Sequence, residues 1–167
     1  TPMKDLIFDM CGGMKPGRTL KAVIPGGSSV PIMTAAETED CLLDYEGVVA
    51  RGSMLGSAGM IVMDDSTDMV YQIWRLARFY AHESCAQCTQ CREGTAWTTK
   101  ILERLLAGKG KAADLDLLLS LSENMTGKTI CVLSDSCAAP IVSGIAKFRS
   151  EFDAYLSGAR QPALAMA

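Results

Sequence analysis

Histidine is almost absent: His82 is the only one in 167 residues, so the paired histidines of a metal-dependent hydrolase are excluded. Long apolar runs are missing as well. The stretch from Leu115 to Leu121 is broken by Asp116 and Ser120 and falls far short of the roughly 18 residues that a membrane span needs. Any association with a membrane is therefore expected to run through partners. Lys and Arg are scattered through a chain of net charge -3 instead of forming a stripe that could follow phosphates, so nucleic acid is not an expected partner. Thr1 to Asp5 lacks the charged start and apolar stretch of a secretory signal, so nothing points to export and a reducing compartment is the default expectation. The opening on Thr rather than Met suits a processed chain or a piece of a longer one.

What is present suits an α+β protein of one ordinary domain or two small ones. Residues 1-64 read as a small mixed domain. A short helix is expected near the start, with Thr1 capping, Pro2 in the first turn, Leu6, Ile7 and Met10 on one face, and Gly12-Gly13 as its stop. Leu20, Ala22 and Ile24 alternate with Lys21 and Val23 as a strand would, and Gly59 to Met63 gives a second strand ending at Asp64-Asp65. Between them Thr34-Ala35-Ala36-Glu37 has the form of a capping box, and Asp44 can cap a segment ending near Gly52.

Residues 65-167 read as a four-helix bundle. Met69, Ile73, Trp74, Ala77 and Tyr80 form one apolar stripe leading into a cysteine cluster. A second helix is expected from about Thr95 to Ala107, with Trp97, Ile101, Leu102 and Leu105 inward. A third runs from Asp114 to about Gly127. The fourth is expected to begin at Pro140 and end at Gly158, with Ile141, Ile145, Phe148, Phe152 and Tyr155 on its inner stripe. Gln161 to Ala167 shows no pattern.

The chemistry concentrates in cysteine. There are seven, an odd number, and three lie within Cys85-Ala86-Gln87-Cys88-Thr89-Gln90-Cys91, which argues for ligation over a disulfide framework. Two-residue gaps let one tight loop wrap the corner of a compact inorganic cube, and C-x2-C-x2-C is the core of the bacterial ferredoxin spacing. A fourth thiolate has to come from elsewhere. Cys131 and Cys137 are both candidates on spacing, and either would couple cluster and fold. Zinc usually takes two cysteine pairs or a Cys and His mixture, and free structural thiols seldom cluster so densely. Arg92, Lys128 and His82 are candidates to offset thiolate charge, with a helix after Cys91 aiming N-H groups at it. Cys11 and Cys41 read as small buried residues, and Asp64-Asp65 as a turn and helix cap.

Glu83 to Gly94, ESCAQCTQCREG, closely resembles the flavoprotein (NADH-binding) subunit of respiratory complex I, the NADH-quinone oxidoreductase F-type family, which typically reads E-S-C-G-x-C-T-P-C-R-E-G. The likeness extends to Lys128-Thr129-Ile130-Cys131, similar to the family's segment that supplies the fourth ligand. It also extends upstream through Cys11-Gly12-Gly13, Lys21 to Ser28 and Met54 to Gly59, which resemble the family's β-grasp-like, SLBB-type domain. The resemblance implies a 4Fe-4S cluster on Cys85, Cys88, Cys91 and Cys131. Where the family has G-D-x-A-A-W-P, this chain has Ser134-Asp135-Ser136-Cys137-Ala138-Ala139-Pro140, with an extra thiol and no tryptophan.

By that resemblance the chain is expected to be the relay portion of an NADH-oxidising complex. Electrons from FMN, reduced by NADH, would pass singly through the cluster to iron-sulfur partner subunits. The family's FMN- and NADH-binding domain is missing from these residues: no G-x-G-x-x-G occurs, and Gly26-Gly27 and Gly56 to Gly59 are more simply turns. The chain alone is therefore not expected to turn over NADH. The implied location is cytoplasmic, peripheral to the inner membrane through partners, or the mitochondrial matrix side in a eukaryote. A diaphorase-type subunit of a soluble NAD-linked hydrogenase or formate dehydrogenase shares these motifs, and a zinc-stabilised interaction module is the alternative of another class.

Overall fold

The computed structural model describes residues 1-163 and divides into two compact units, Thr1-Thr67 and Asp68-Ala167. The first is built on a three-stranded antiparallel sheet in the order β2-β1-β3, formed by β1 (Leu20-Ile24), β2 (Met33-Thr34) and β3 (Ile61-Asp64). Ala22 pairs with Thr34 on one side and Met63 on the other. Ala22, Val23 and Ile24 are all buried, so the alternation expected along β1 gives way to a central strand covered on both faces. β2 has only two residues, too few to leave a period in the sequence.

Local signals place the short helices of this unit. In α2 (Ala35-Thr38) the Thr34 N-H donates to Glu37 Oε2 at 2.7 Å and the Glu37 N-H to Thr34 Oγ1 at 3.4 Å, a complete capping box. Asp44 Oδ1 accepts from the Gly47 N-H at 2.7 Å and opens α3 (Tyr45-Ala50). The opening helix is α1 (Met3-Asp5), capped by Pro2 without a side-chain bond and continuing as a π-helical turn over Leu6-Met10, where the Cys11 N-H reaches Leu6 O at 3.0 Å. Met3, Ile7, Val23, Met33, Cys41 and Val48 form the core. Cys11 is exposed, contrary to expectation, because it falls just past the π turn where the chain leaves that core.

Among the described residues the second unit holds five helices rather than four: α4 (Met69-Glu83), α5 (Thr89-Leu106), α6 (Asp114-Met125), α7 (Leu133-Lys147) and α8 (Arg149-Leu156). The α4 stripe is as expected, with Met69, Ile73, Trp74, Ala77 and Tyr80 buried, but its cap is Asp68, which accepts from the Tyr71 N-H at 3.1 Å. Asp64 instead closes a turn, accepting from Ser66 N at 3.0 Å and Ser66 Oγ at 2.6 Å.

Three expectations about helices fail. α5 starts six residues before Thr95, because the Thr hydroxyls that resemble caps bond backward inside the helix, Thr95 Oγ1 to Cys91 O and Thr99 Oγ1 to Thr95 O. Trp97 faces solvent, 51% exposed, since the inner face of α5 is taken by Thr95, Thr98, Ile101, Leu102 and Leu105. Pro140 lies inside α7 instead of opening it, and the expected long helix breaks at Phe148 (φ -122°, ψ 31°), the junction of α7 and α8. The inner stripe survives this break, with Ile141, Ile145, Phe152 and Tyr155 all buried. Leu164 to Ala167 lie outside the described residues. Among the described residues no helix is long and apolar enough to cross a membrane.

Candidate iron-sulfur site

The helical unit brings the cysteine loop and the segment around Cys131 together. α4 ends at Ser84, and Cys85 to Cys88 form the turn into α5, with Cys88 as its N-cap and Cys91 in its first turn. The helix N-terminus thus begins within the cysteine run and not after it. Its free N-H groups and the positive end of its dipole favour negative charge there. Across the site, the Ile130 N-H donates to Cys88 Sγ at 3.4 Å. Cys131 follows immediately, held by the Thr129 hydroxyl, which lies 2.8 Å from Cys131 O and 2.6 Å from Ser134 Oγ. Ser134 is buried and also donates to Met125 O at the end of α6.

Cys85 and Cys131 are exposed, Cys88 is half-buried and Cys91 is buried. Ser84 Oγ stands 3.3 Å from Cys91 Sγ and accepts from the Ala86 N-H at 3.3 Å, a contact spacing alone could not show, although Ser84 is part of the E-S-C motif. Cys137 is different. It lies inside α7, fully buried, and burial, with a smaller effect from Cys91, pushes its thiol up to about 12.

Two backbone positions account for motif residues. Ala86 has φ 65°, the left-handed region, where the family pattern carries glycine. Gly94 is buried, and a Cβ there would come within 2.5 Å of Met125 Sδ, so the glycine lets α6 close against α5 beside the site.

Of the cations expected near the thiolates, Arg92 donates to Glu93 Oε1 at 2.9 Å and to Ala86 O at 2.8 Å, bracing the loop from its backbone. His82 Nδ1 is 2.9 Å from Glu83 Oε1, and Lys128 Nζ bonds Asn124 Oδ1 at 3.4 Å. Among the described residues no three His, Cys, Asp or Glu side chains converge on one metal-ion position. The donor set is nonetheless that of a thiolate-bound cluster: soft sulfur ligands on two segments, with N-H and O-H groups aimed at sulfur. A cubane's ligands sit at separate corners and stand farther apart than those of a single ion.

A helical unit with a C-x2-C-x2-C loop closed by a distant cysteine segment defines an iron-sulfur-binding region. The chain belongs to the NADH-ubiquinone oxidoreductase-F iron-sulfur binding region family, whose model matches residues 71–155. The cofactor of that family is a 4Fe-4S cluster. One of its relatives, the NADH-quinone oxidoreductase F chain numbered 1 of Rhizobium meliloti (strain 1021), is 47% identical over 153 residues, covering 91% of this chain and 35% of the relative. The NADH-quinone oxidoreductase F chain of Streptomyces coelicolor is 47% identical over 152 residues, covering 91% and 34%. The chain spans about a third of the length of these curated relatives. Among solved structures, the NAD+-reducing [NiFe]-hydrogenase superposes with a TM-score of 0.78 in its air-oxidized state, at 30% identity over 96% of this chain and 27% of that one. In the H2-reduced state the TM-score is 0.77 at 31% identity, covering 90% and 25%.

Proposed function

We propose that Cys85, Cys88, Cys91 and Cys131 ligate the 4Fe-4S cluster and that the chain relays single electrons within an NADH-oxidising complex. The observation that carries this is the Ile130 N-H to Cys88 Sγ bond, which holds the Cys131 segment against the cysteine loop. When bound, the cluster supplies reversible one-electron transfer. The chain's own residues supply the rest: Ser84 and Ile130 direct hydrogens toward sulfur, the α5 N-terminus favours the thiolates' charge, and buried Cys91 keeps water from one side. The exposed Cys85 and Cys131 mark the side from which an electron partner approaches. The electrons would come from FMN reduced by NADH, bound by other parts of the complex, and go to an iron-sulfur partner subunit. The 167 residues alone would not oxidise NADH.

The sheet unit is read as the β-grasp-like, SLBB-type companion domain, with the chain dividing functionally near residues 64 and 65. The likeness to the NAD+-reducing [NiFe]-hydrogenase favours a second reading with the same chemistry, a diaphorase-type subunit of a soluble NAD-linked enzyme. In either, the protein works in the cytoplasm or matrix as a peripheral subunit.

Iron, acid-labile sulfide and zinc are to be measured per chain after anaerobic reconstitution. About four irons and four sulfides are expected. Stoichiometric zinc without sulfide would make the site structural and refute the relay.

A further inference from the structure

α4 shows solvent a stripe of Arg75, Arg78, Phe79 and His82, spaced at three- and four-residue steps along one face. The pairing of its arginines sets this face apart. In the helical unit Arg92, Arg104, Arg149 and Arg160 each hold a carboxylate: Glu93, Asp114 and Asp153 for the first three, and both Asp68 and Glu151 for Arg160. Among the described residues Arg75 and Arg78 hold none. Arg78 lies 5.6 Å over the Trp74 ring, whose indole N-H is given to Glu103 Oε1 at 3.3 Å. His82 is matched by Glu83, so the net positive charge comes from the two arginines. Phe79, beside them, is 51% exposed. Carboxylates are not scarce in a chain with 19 acidic and 16 basic residues, yet among the described residues none pairs with Arg75 or Arg78.

We propose that this face docks a carboxylate-bearing protein that exchanges electrons with the site. Arginine and a half-exposed aromatic are the side chains enriched where proteins bind one another, and unpaired guanidiniums steer and orient an acidic partner. The location fits the task. α4 runs into the cysteine loop, and His82 at the end of the stripe is three residues from the exposed Cys85, so a partner seated on the stripe stands beside the ligand loop. The proposal rests on the relay reading given above. Two isolated arginines are too few to hold a nucleic acid by its phosphates.

The test compares the reconstituted chain with its R75E/R78E variant at low ionic strength. The reduced protein is mixed with an acidic b-type cytochrome or, separately, a basic c-type cytochrome. One electron leaves the reduced cluster and enters the ferric haem, with no other bond made or broken. Charge reversal is expected to slow the acidic acceptor by about tenfold to a hundredfold, to leave the basic one unchanged or faster, and to lose its effect at high salt. An equal change with both acceptors, or none with either, overturns the proposal, as does arginine-dependent binding to anionic phospholipid vesicles without an effect on either cytochrome. Iron and sulfide content of the same samples reports on the relay reading separately. If no cluster loads, low-salt equilibrium binding of the acidic cytochrome, with circular dichroism to check folding, still decides: binding lost in R75E/R78E supports docking, and unchanged binding overturns it.

Discussion

Ile130 gives its backbone N-H to Cys88 Sγ across 3.4 Å, joining residues 42 positions apart in the chain. That bond places Cys131 beside the loop, while Cys137, six residues on, is fully buried in α7. Cys131→Ala is expected to abolish the cluster or convert it to a form with less iron. Cys137→Ala is expected to retain full iron and sulfide, at a folding cost on the order of 1 kcal/mol for the lost buried sulfur. Iron analysis with electron paramagnetic resonance of the reduced proteins separates them, and the reverse pattern would reassign the fourth ligand.

Ala86 occupies a left-handed conformation at φ 65°, which costs a non-glycine residue about 1–2 kcal/mol. Glycine removes that strain but gives back about 0.4–1 kcal/mol through the freer unfolded chain. Ala86→Gly is therefore expected to stabilise the apo chain by about 0.5–1 kcal/mol, read as a higher urea midpoint with unchanged slope. A lower midpoint would show that the loop does not hold this conformation.

These two sites show what could be read in the sequence and what could not. The three cysteines of the C-x2-C-x2-C run, the capping box at Thr34 and Glu37 and the buried stripe of α4 rest on spacing alone, whereas the choice of Cys131 over Cys137 came from the family resemblance. Trp97 is the opposite case: period places it with Ile101, but four inward threonines and leucines per two turns already fill that face. Pro140 reads as a helix start by local rule, whereas packing of Cys137 and Ala138 extends α7 back to Leu133. The Ile130 N-H was invisible as a site group because one backbone donor looks like any other until the chain folds, and Ser84, though inside the motif, shows the contact of its hydroxyl with Cys91 Sγ only in the folded chain.

Thr98 Oγ1 is buried and, among the described residues, has no hydrogen-bond partner. Its neighbour Thr95, equally buried, donates to Cys91 O at 2.7 Å. An unsatisfied buried hydroxyl costs about 1–3 kcal/mol, so Thr98→Val, nearly the same shape, is expected to stabilise the fold by about 1 kcal/mol. Thr95→Val removes a made bond and is expected to destabilise by about 1 kcal/mol. Denaturant titrations of the two variants should move in opposite directions, and parallel shifts would refute the distinction.

Asp114 joins the start of α6 to α5 through the Arg104 guanidinium and also accepts the Lys111 N-H at 2.8 Å. Burial alone would raise its pKa, but the bonds from Arg104 and Lys111 outweigh it and hold the carboxyl below its ordinary range. A carboxyl whose folded pKa is depressed contributes stability above its unfolded value, about 3.9, and loses it as pH falls through the folded value. Arg104→Met keeps the apolar stem but leaves the buried carboxylate without its cation. At pH 7 the loss is expected to be about 2 kcal/mol, below the 3–5 of a fully buried pair because the arginine is partly exposed. Acidification from pH 5 toward pH 2 should then narrow the gap between variant and unaltered chain, as protonation removes the charge the arginine serves. A gap that stays constant over that range would mean that Arg104 does not act through the charge of Asp114.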